Sequence, residues 1–234
     1  MVEIALLKGI LSIMQTTRLF LQKINPKLAS RVNEHSPGLV SDLVFNGFSE
    51  RIVLLLPLAT DHGETTWTAL ASKHNISVPS HCMTRKTFQN CGVEGIYYPE
   101  GEIPDREYAS KLAAVLSNFS ESSSWTGIFW VGYAEQQCRA NIIGPEESSF
   151  LRPEPYSMIQ LPTGQLGALL QEHLPSILFD DSVSCVVTQP IYGDRLYVSC
   201  EHTLATALAS ELGDVSLLRQ LTPCQIICPI NLSV

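Results

Sequence analysis

Charge is scarce in this sequence. Asp, Glu, Lys and Arg make up 16% of the 234 residues, where about a quarter is usual. Basic residues are scarcer still beyond the opening segment: residues 34–234 hold ten Lys and Arg against 22 Asp and Glu, a net of −12, with no basic cluster. That balance argues against a dedicated nucleic-acid binder, because phosphate contacts need Lys and Arg gathered together. The opening segment also lacks a long uncharged run. Only nine residues separate Lys8 from Arg18, well short of the roughly 20 that span a bilayer, so no transmembrane helix is expected there. No small-residue cleavage site follows an apolar core, which argues against a secretory signal.

The familiar catalytic signatures are missing as well. There is no Gly-x-Ser-x-Gly elbow and no His-Glu-x-x-His pair. The cysteines do not come in an even set: seven stand at 82, 91, 138, 185, 200, 224 and 228. An odd number at irregular spacing reads as reduced, mostly buried thiols rather than a disulfide framework. The expected location is therefore intracellular and cytoplasmic, with organellar targeting left open. Three Asn-x-Ser triplets, at Asn75, Asn118 and Asn231, pull mildly the other way, since glycosylation would require a secretory route.

What is present begins with the opening segment. Residues 1–33 carry Lys8, Arg18, Lys23, Lys27 and Arg31 against Glu3 alone, a net of +4 on an otherwise acidic chain. Within residues 4–24, Leu6, Leu7, Ile10, Ile13, Met14, Leu21 and Ile24 fall near one stripe of a helix. Lys8, Ser12, Gln15, Gln22 and Lys23 fall opposite. Asn25-Pro26 should end that helix. The charge asymmetry suggests a segment that docks on something the main body does not touch, and the stripe predicts an amphipathic basic helix that covers the main domain or pairs with a protein partner or its own copy. A membrane-surface helix and a targeting peptide are the two other readings.

Residues 34–234 read as one α+β domain, with a mixed α/β arrangement as the alternative. A central, largely antiparallel sheet with flanking helices is expected. Strands are predicted at 51–58, 95–98, 126–133, 139–143, 156–161, 183–189, 195–200 and 225–230. Helices are predicted at 64–74, 105–117, 164–172 and 204–212, the last ending at Gly213. Pro57 should mark a bend or edge. Residues 75–92 read as irregular, and the polar run Ser120–Ser124 as the best internal boundary. Residues 106–200 run helix, strand, strand, loop, helix, hairpin. With TGIFWVGY at 126–133, that order resembles the small-molecule sensor domains of the GAF type. The likeness covers less than half the chain and carries no diagnostic motif, so it assigns no residues a role.

Several constellations could carry chemistry. Asp61 and His62 stand between an apolar strand and a helix, where ligands gather in open sheets, and could supply a base with its orienting group. A capping Asp beside a solvated His is the simpler reading. His81-Cys82, with Cys91, could form a thiol site if a base or helix terminus lowered the thiol pKa, but buried thiols in a loop suit the residues better. Cys224 and Cys228 would lie about 13 Å apart on a strand, too far to share a metal whose ligands sit about 2.3 Å away. Cys200 and His202 would lie about 6.6 Å apart and give only two ligands, so no metal site is expected. Pro162-Thr163-Gly164 precedes a helix whose free N–H groups could hold an anion, although a glycine turn with Thr163 as cap explains it equally. Trp130, in a strand apolar on both faces, could line a ligand pocket or simply fill the core.

The resulting expectation is a non-catalytic binding, regulatory or assembly protein, or a small-ligand sensor, needing no cofactor. The alternative is an enzyme with a polar site around Asp61, His62 and Cys82.

Overall fold

The computed structural model describes residues 21–22, 24–32, 44–60, 63–77, 83–97, 105–130, 141–143, 156–190 and 193–217. Its centre is the run Arg51–Leu56, nearly every residue of which is buried. Such a run can be apolar throughout only if both faces of its sheet are covered. β1 (Glu50–Leu55) sends Ile52 and Leu54, continued by Leu56, into one core, and Val53 and Leu55 into another. It pairs antiparallel with β10 (Arg195–Cys200) on one side and β11 (Val215–Leu217) on the other. The sheet continues through β9 (Val186–Thr188), β8 (Ile177–Asp180), β5 (Ser124–Trp130), β7 (Tyr156–Pro162) and β6 (Asn141–Ile143). The full order is β11-β1-β10-β9-β8-β5-β7-β6, and every pairing is antiparallel.

Three helices cover one face. α4 (Arg106–Phe119) buries Tyr108, Ala109, Leu112, Ala113, Val115 and Leu116, a stripe of helical period. Asp105 caps it by accepting the Tyr108 N–H at 2.7 Å. α5 (Leu166–Glu172) and α6 (His202–Leu212) flank it. Together they enclose Trp125, Leu161, Leu178, Val187 and Val198 from the sheet. α4 and β5, on either side of Ser120–Ser124, thus share one core.

The opposite face carries two patches. Over β5, β8 and β9, the segment Leu21–Val32, including the short helix α1 (Pro26–Ala29), packs with Phe45 and Phe48 on Ile128, Ile177, Phe179 and Val186. Over β1 and β10 lies a small unit. Its sheet is β3 (Gly63–Thr65), β2 (Leu58–Thr60) and β4 (Ile96–Tyr97), in the order β3-β2-β4. The helices α2 (Trp67–Lys73) and α3 (Arg85–Asn90) complete it. Trp67 and Phe88 meet at 5.7 Å between centroids and fill its core with Leu58, Ile96 and Tyr197.

The architecture is α+β, as composition and pattern predict. Several elements differ from the sequence reading. Residues 75–92 are not wholly irregular, because Thr84 caps α3 through the Thr87 N–H at 3.2 Å. The strand predicted at 51–58 breaks around Pro57, and the chain passes there from the large sheet to the small one. The helix expected from residue 64 starts at Trp67, because Gly63–Thr65 pair with Leu58–Thr60. β8 and β11 are strands that the pattern reading omits. Thr163 does not cap a helix. It opens a 3₁₀ turn before α5, and no side chain caps α5. The predicted strand at 225–230 and most of the helix at 4–24 lie outside the described residues. No helix among the described residues is long and apolar enough to cross a membrane.

Candidate functional site

The described end of the basic opening segment, residues 21–22 and 24–32, packs on the chain's own sheet, as a helix that covers the main domain does. Leu21, Leu28 and Ala29 are fully buried, and each leucine contributes about 1.5–3 kcal/mol by leaving water. Leu21 and Ile24 belong to the predicted apolar stripe and do face the core, while Gln22 is exposed. The helix closes where Asn25-Pro26 predicts, with the Asn25 N–H on the Leu21 carbonyl at 2.7 Å. Asn25 Oδ1 then caps α1 through the Leu28 N–H at 3.1 Å, and Pro26 takes the first helical position, where its missing N–H costs nothing.

Two of the five cations meet the β8–β9 turn. Arg31 Nη1 donates to the Val183 carbonyl at 2.9 Å, and its guanidinium carbon stands 4.3 Å from the Phe48 ring centroid. Lys27 Nζ donates to the Ser182 carbonyl. Val183 holds a positive φ of 52°, which is costly for a β-branched residue. The turn bears this because Asp180 ties it together. The Asp180 carboxylate, fully buried, accepts the Ser184 N–H at 2.7 Å and the Cys185 N–H at 3.3 Å. It also accepts the hydroxyls of Ser184 at 3.0 Å, Ser120 at 3.1 Å and Ser182. Next to it, Asp181 accepts Ser124 Oγ. The two serine tracts, SESSS and DDSVS, form one knot with the cationic anchor laid over it. This knot was not legible as a site, since each tract read alone is a polar loop.

A second gathering of reactive residue types among the described residues lies where β1 begins and β10 ends. Ser49 Oγ donates to Glu201 Oε2 at 2.8 Å and accepts the His202 main-chain N–H at 3.0 Å. His202 Nδ1 lies 2.9 Å from Glu50 Oε1, with the imidazole side chain 75% exposed. The Ser49 hydroxyl thus points to a carboxylate, not to the imidazole, and the pair lacks the nucleophile–base bond of acyl-transfer sites. Cys200, next in the chain, is buried. Burial first, then Glu50 and Glu201, push its thiol up to about 12, so little of it is thiolate at neutral pH and it reacts slowly there. Cys200 and His202 do not share a strand face, because His202 begins α6. The arrangement serves as a remote cap for that helix.

Of the predicted site residues, the structure describes Cys91, Thr163, Gly164 and the backbone of Trp130. Asp61 and His62 lie outside the described residues, between two strands that pair as Thr60 with Gly63 rather than between strand and helix. Cys82 lies outside them too, and Cys91 is exposed at the end of α3. Trp130 pairs with Tyr156 at the end of β5. Thr163 donates its hydroxyl to the Ser122 carbonyl at 2.8 Å, and its N–H goes to the Ser123 carbonyl at 2.9 Å. Its polar groups are thereby spent on tying β7 to the loop before β5. A side chain at Gly164 would point into open space. Among the described residues, no three His, Cys, Asp or Glu side chains stand close enough to hold a metal. Comparison with protein-family models, curated proteins and solved structures finds no match to this chain.

Proposed function

We propose that this protein acts by binding, as an assembly or regulatory factor whose docking element is the part of the opening amphipathic segment, residues 4–24, that precedes its anchored end at Leu21. The observation that carries the reading is the anchor at Leu21–Val32. Buried leucines, an Asn25 cap and the Lys27 and Arg31 contacts fix one end of the segment to the sheet. The anchor therefore fixes the point at which the preceding residues join the body. Their apolar stripe and the charges of Lys8 and Arg18 suit an acidic surface with apolar patches. The body of a second copy, at net −12 over residues 34–234, meets that description. The described clusters of titratable groups act as caps and turn ties, which favours binding over catalysis. The irregular thiol set favours a reducing, intracellular setting.

The test removes residues 1–20 and leaves the anchor intact. Light scattering at rising concentration should show the full-length chain above monomer mass and the truncated chain at monomer mass, both with the same circular dichroism. Equal masses for the two at every concentration would overturn the reading.

A further inference from the structure

The register of β9 and β10 directs Cys185 toward Cys200. β9 and β10 pair antiparallel with Tyr197 opposite Thr188, Val198 opposite Val187 and Ser199 opposite Val186. One more step along the ladder sets Cys200 opposite Cys185. Both side chains belong to the helix-covered core, both are almost fully buried, and both thiols are free.

The main-chain bonds fix which kind of opposed pair this is. In an antiparallel sheet, alternate residues of a strand aim their N–H and C=O groups at opposite neighbours. The Cys185 N–H goes to Asp180 Oδ1 at 3.3 Å, and the Gln189 N–H goes to the Ser176 carbonyl at 3.0 Å. Both acceptors lie on the β8 side. Residues 185, 187 and 189 therefore turn their main-chain groups away from β10, and Cys185–Cys200 is a non-hydrogen-bonded pair. Such pairs bring Cα atoms to about 4.5 Å, with side chains close. A disulfide needs Cα atoms about 4.4–6.8 Å apart and Cβ atoms about 3.5–4.5 Å apart. Other opposed positions in a sheet hold their Cβ atoms farther apart.

We infer that Cys185 and Cys200 are a cross-strand dithiol site that closes to a disulfide when a peroxide reaches it. In the first step the thiolate of one cysteine attacks a peroxide oxygen. The O–O bond breaks, the sulfenic acid forms, and the departing hydroxide takes up the proton that the thiol released to become water. In the second step the other thiol displaces water from the sulfenic sulfur and the S–S bond forms. Overall, two thiols and one hydrogen peroxide give one disulfide and two waters. Access comes from the end of the ladder. Cys185 follows the 181–184 turn and Cys200 is the last residue of β10, next to exposed Glu201. Strand ends open before strand centres. Burial raises both thiols, so closure is slow in the native state and quickens with pH.

The reduced full-length chain, treated with hydrogen peroxide, alkylated in denaturant and digested, decides the matter by mass spectrometry. The expected result is a linked peptide pair holding Cys185 and Cys200, lighter by two hydrogens than the separate peptides, and absent in Cys185→Ala. If that variant does not fold, the map of the unaltered chain decides alone. Recovery of both residues as alkylated thiols after exposed Cys91 has been oxidised would overturn the site. So would either cysteine linked elsewhere or halted as a sulfinic acid.

Discussion

Asp180→Ala should destabilise the protein by about 3 kcal/mol. The carboxylate takes five donors, but they do not count equally. The three serine hydroxyls, from Ser120, Ser182 and Ser184, are part-exposed and can turn to water or to one another once the acceptor has gone. The N–H groups of Ser184 and Cys185 cannot turn. Each loses its acceptor in a buried or half-buried place, at about 1–3 kcal/mol. Release of a buried carboxylate offsets part of the sum. Loss of the tie also frees Val183 from its left-handed conformation and loosens the carbonyls that hold Lys27 and Arg31. At a urea slope of about 2–3 kcal/mol per M, the midpoint should fall by about 1–1.5 M. Asp180→Asn keeps one oxygen for both N–H groups and should cost about 1 kcal/mol. Urea unfolding followed by circular dichroism at neutral pH measures both. An Ala variant within about 0.5 kcal/mol of the parent, the usual range for a surface change, would refute the knot as a structural tie. Equal losses for Ala and Asn would refute the division of labour among its donors.

Arg31→Ala should cost about 1–2 kcal/mol and Arg31→Lys nearly as much. An ammonium does not present a planar fork to the Val183 carbonyl while lying over Phe48; a Lys variant with parental stability would count against the stacking. Alkaline pH should weaken the fold. Burial raises Cys185, Cys200 and Tyr108, so the folded chain keeps these protons where the unfolded chain has begun to release them, at 9.0 for the thiols and 10.0 for the phenol. The native state then holds more protons, and stability falls as pH rises through 9 towards about 12 for Cys200. Unfolding midpoints between pH 8 and 11 should decline less steeply for Cys200→Ala; a slope equal to the parent's would exclude that thiol.

The elements that were legible in the sequence carry their signal locally. α4 announces itself through Asp105 and a helical stripe from Tyr108 to Leu116, and β1 through an unbroken apolar run. β8 was not legible because Ile177–Asp180 is only four residues long and buried throughout, too brief to display a period. α3 was missed because RKTFQN is polar apart from Phe88, and only Thr84 and Thr87 mark its start. The site-level features failed for another reason: their partners are remote. Ser120 reaches Asp180 across 60 positions, and Asp214 accepts the Trp67 N–H at 2.6 Å across 147. No window of sequence contains both halves of such a bond. The opening segment is legible in pattern, and its apolar stripe leaves open whether it covers the chain's own sheet or a partner; at the described end it covers the sheet.

The strand order has a consequence for synthesis. β1 emerges early, yet both its neighbours, β10 and β11, come from residues 195–217. At about 5–20 residues per second, the ribosome takes roughly 10–30 s to deliver them after Leu55 appears. For that interval Ile52, Val53, Leu54 and Leu55 form an orphan strand with two open edges and an apolar surface. A nascent chain in that condition invites a holdase, and slowed elongation anywhere between residues 56 and 195 prolongs its exposure.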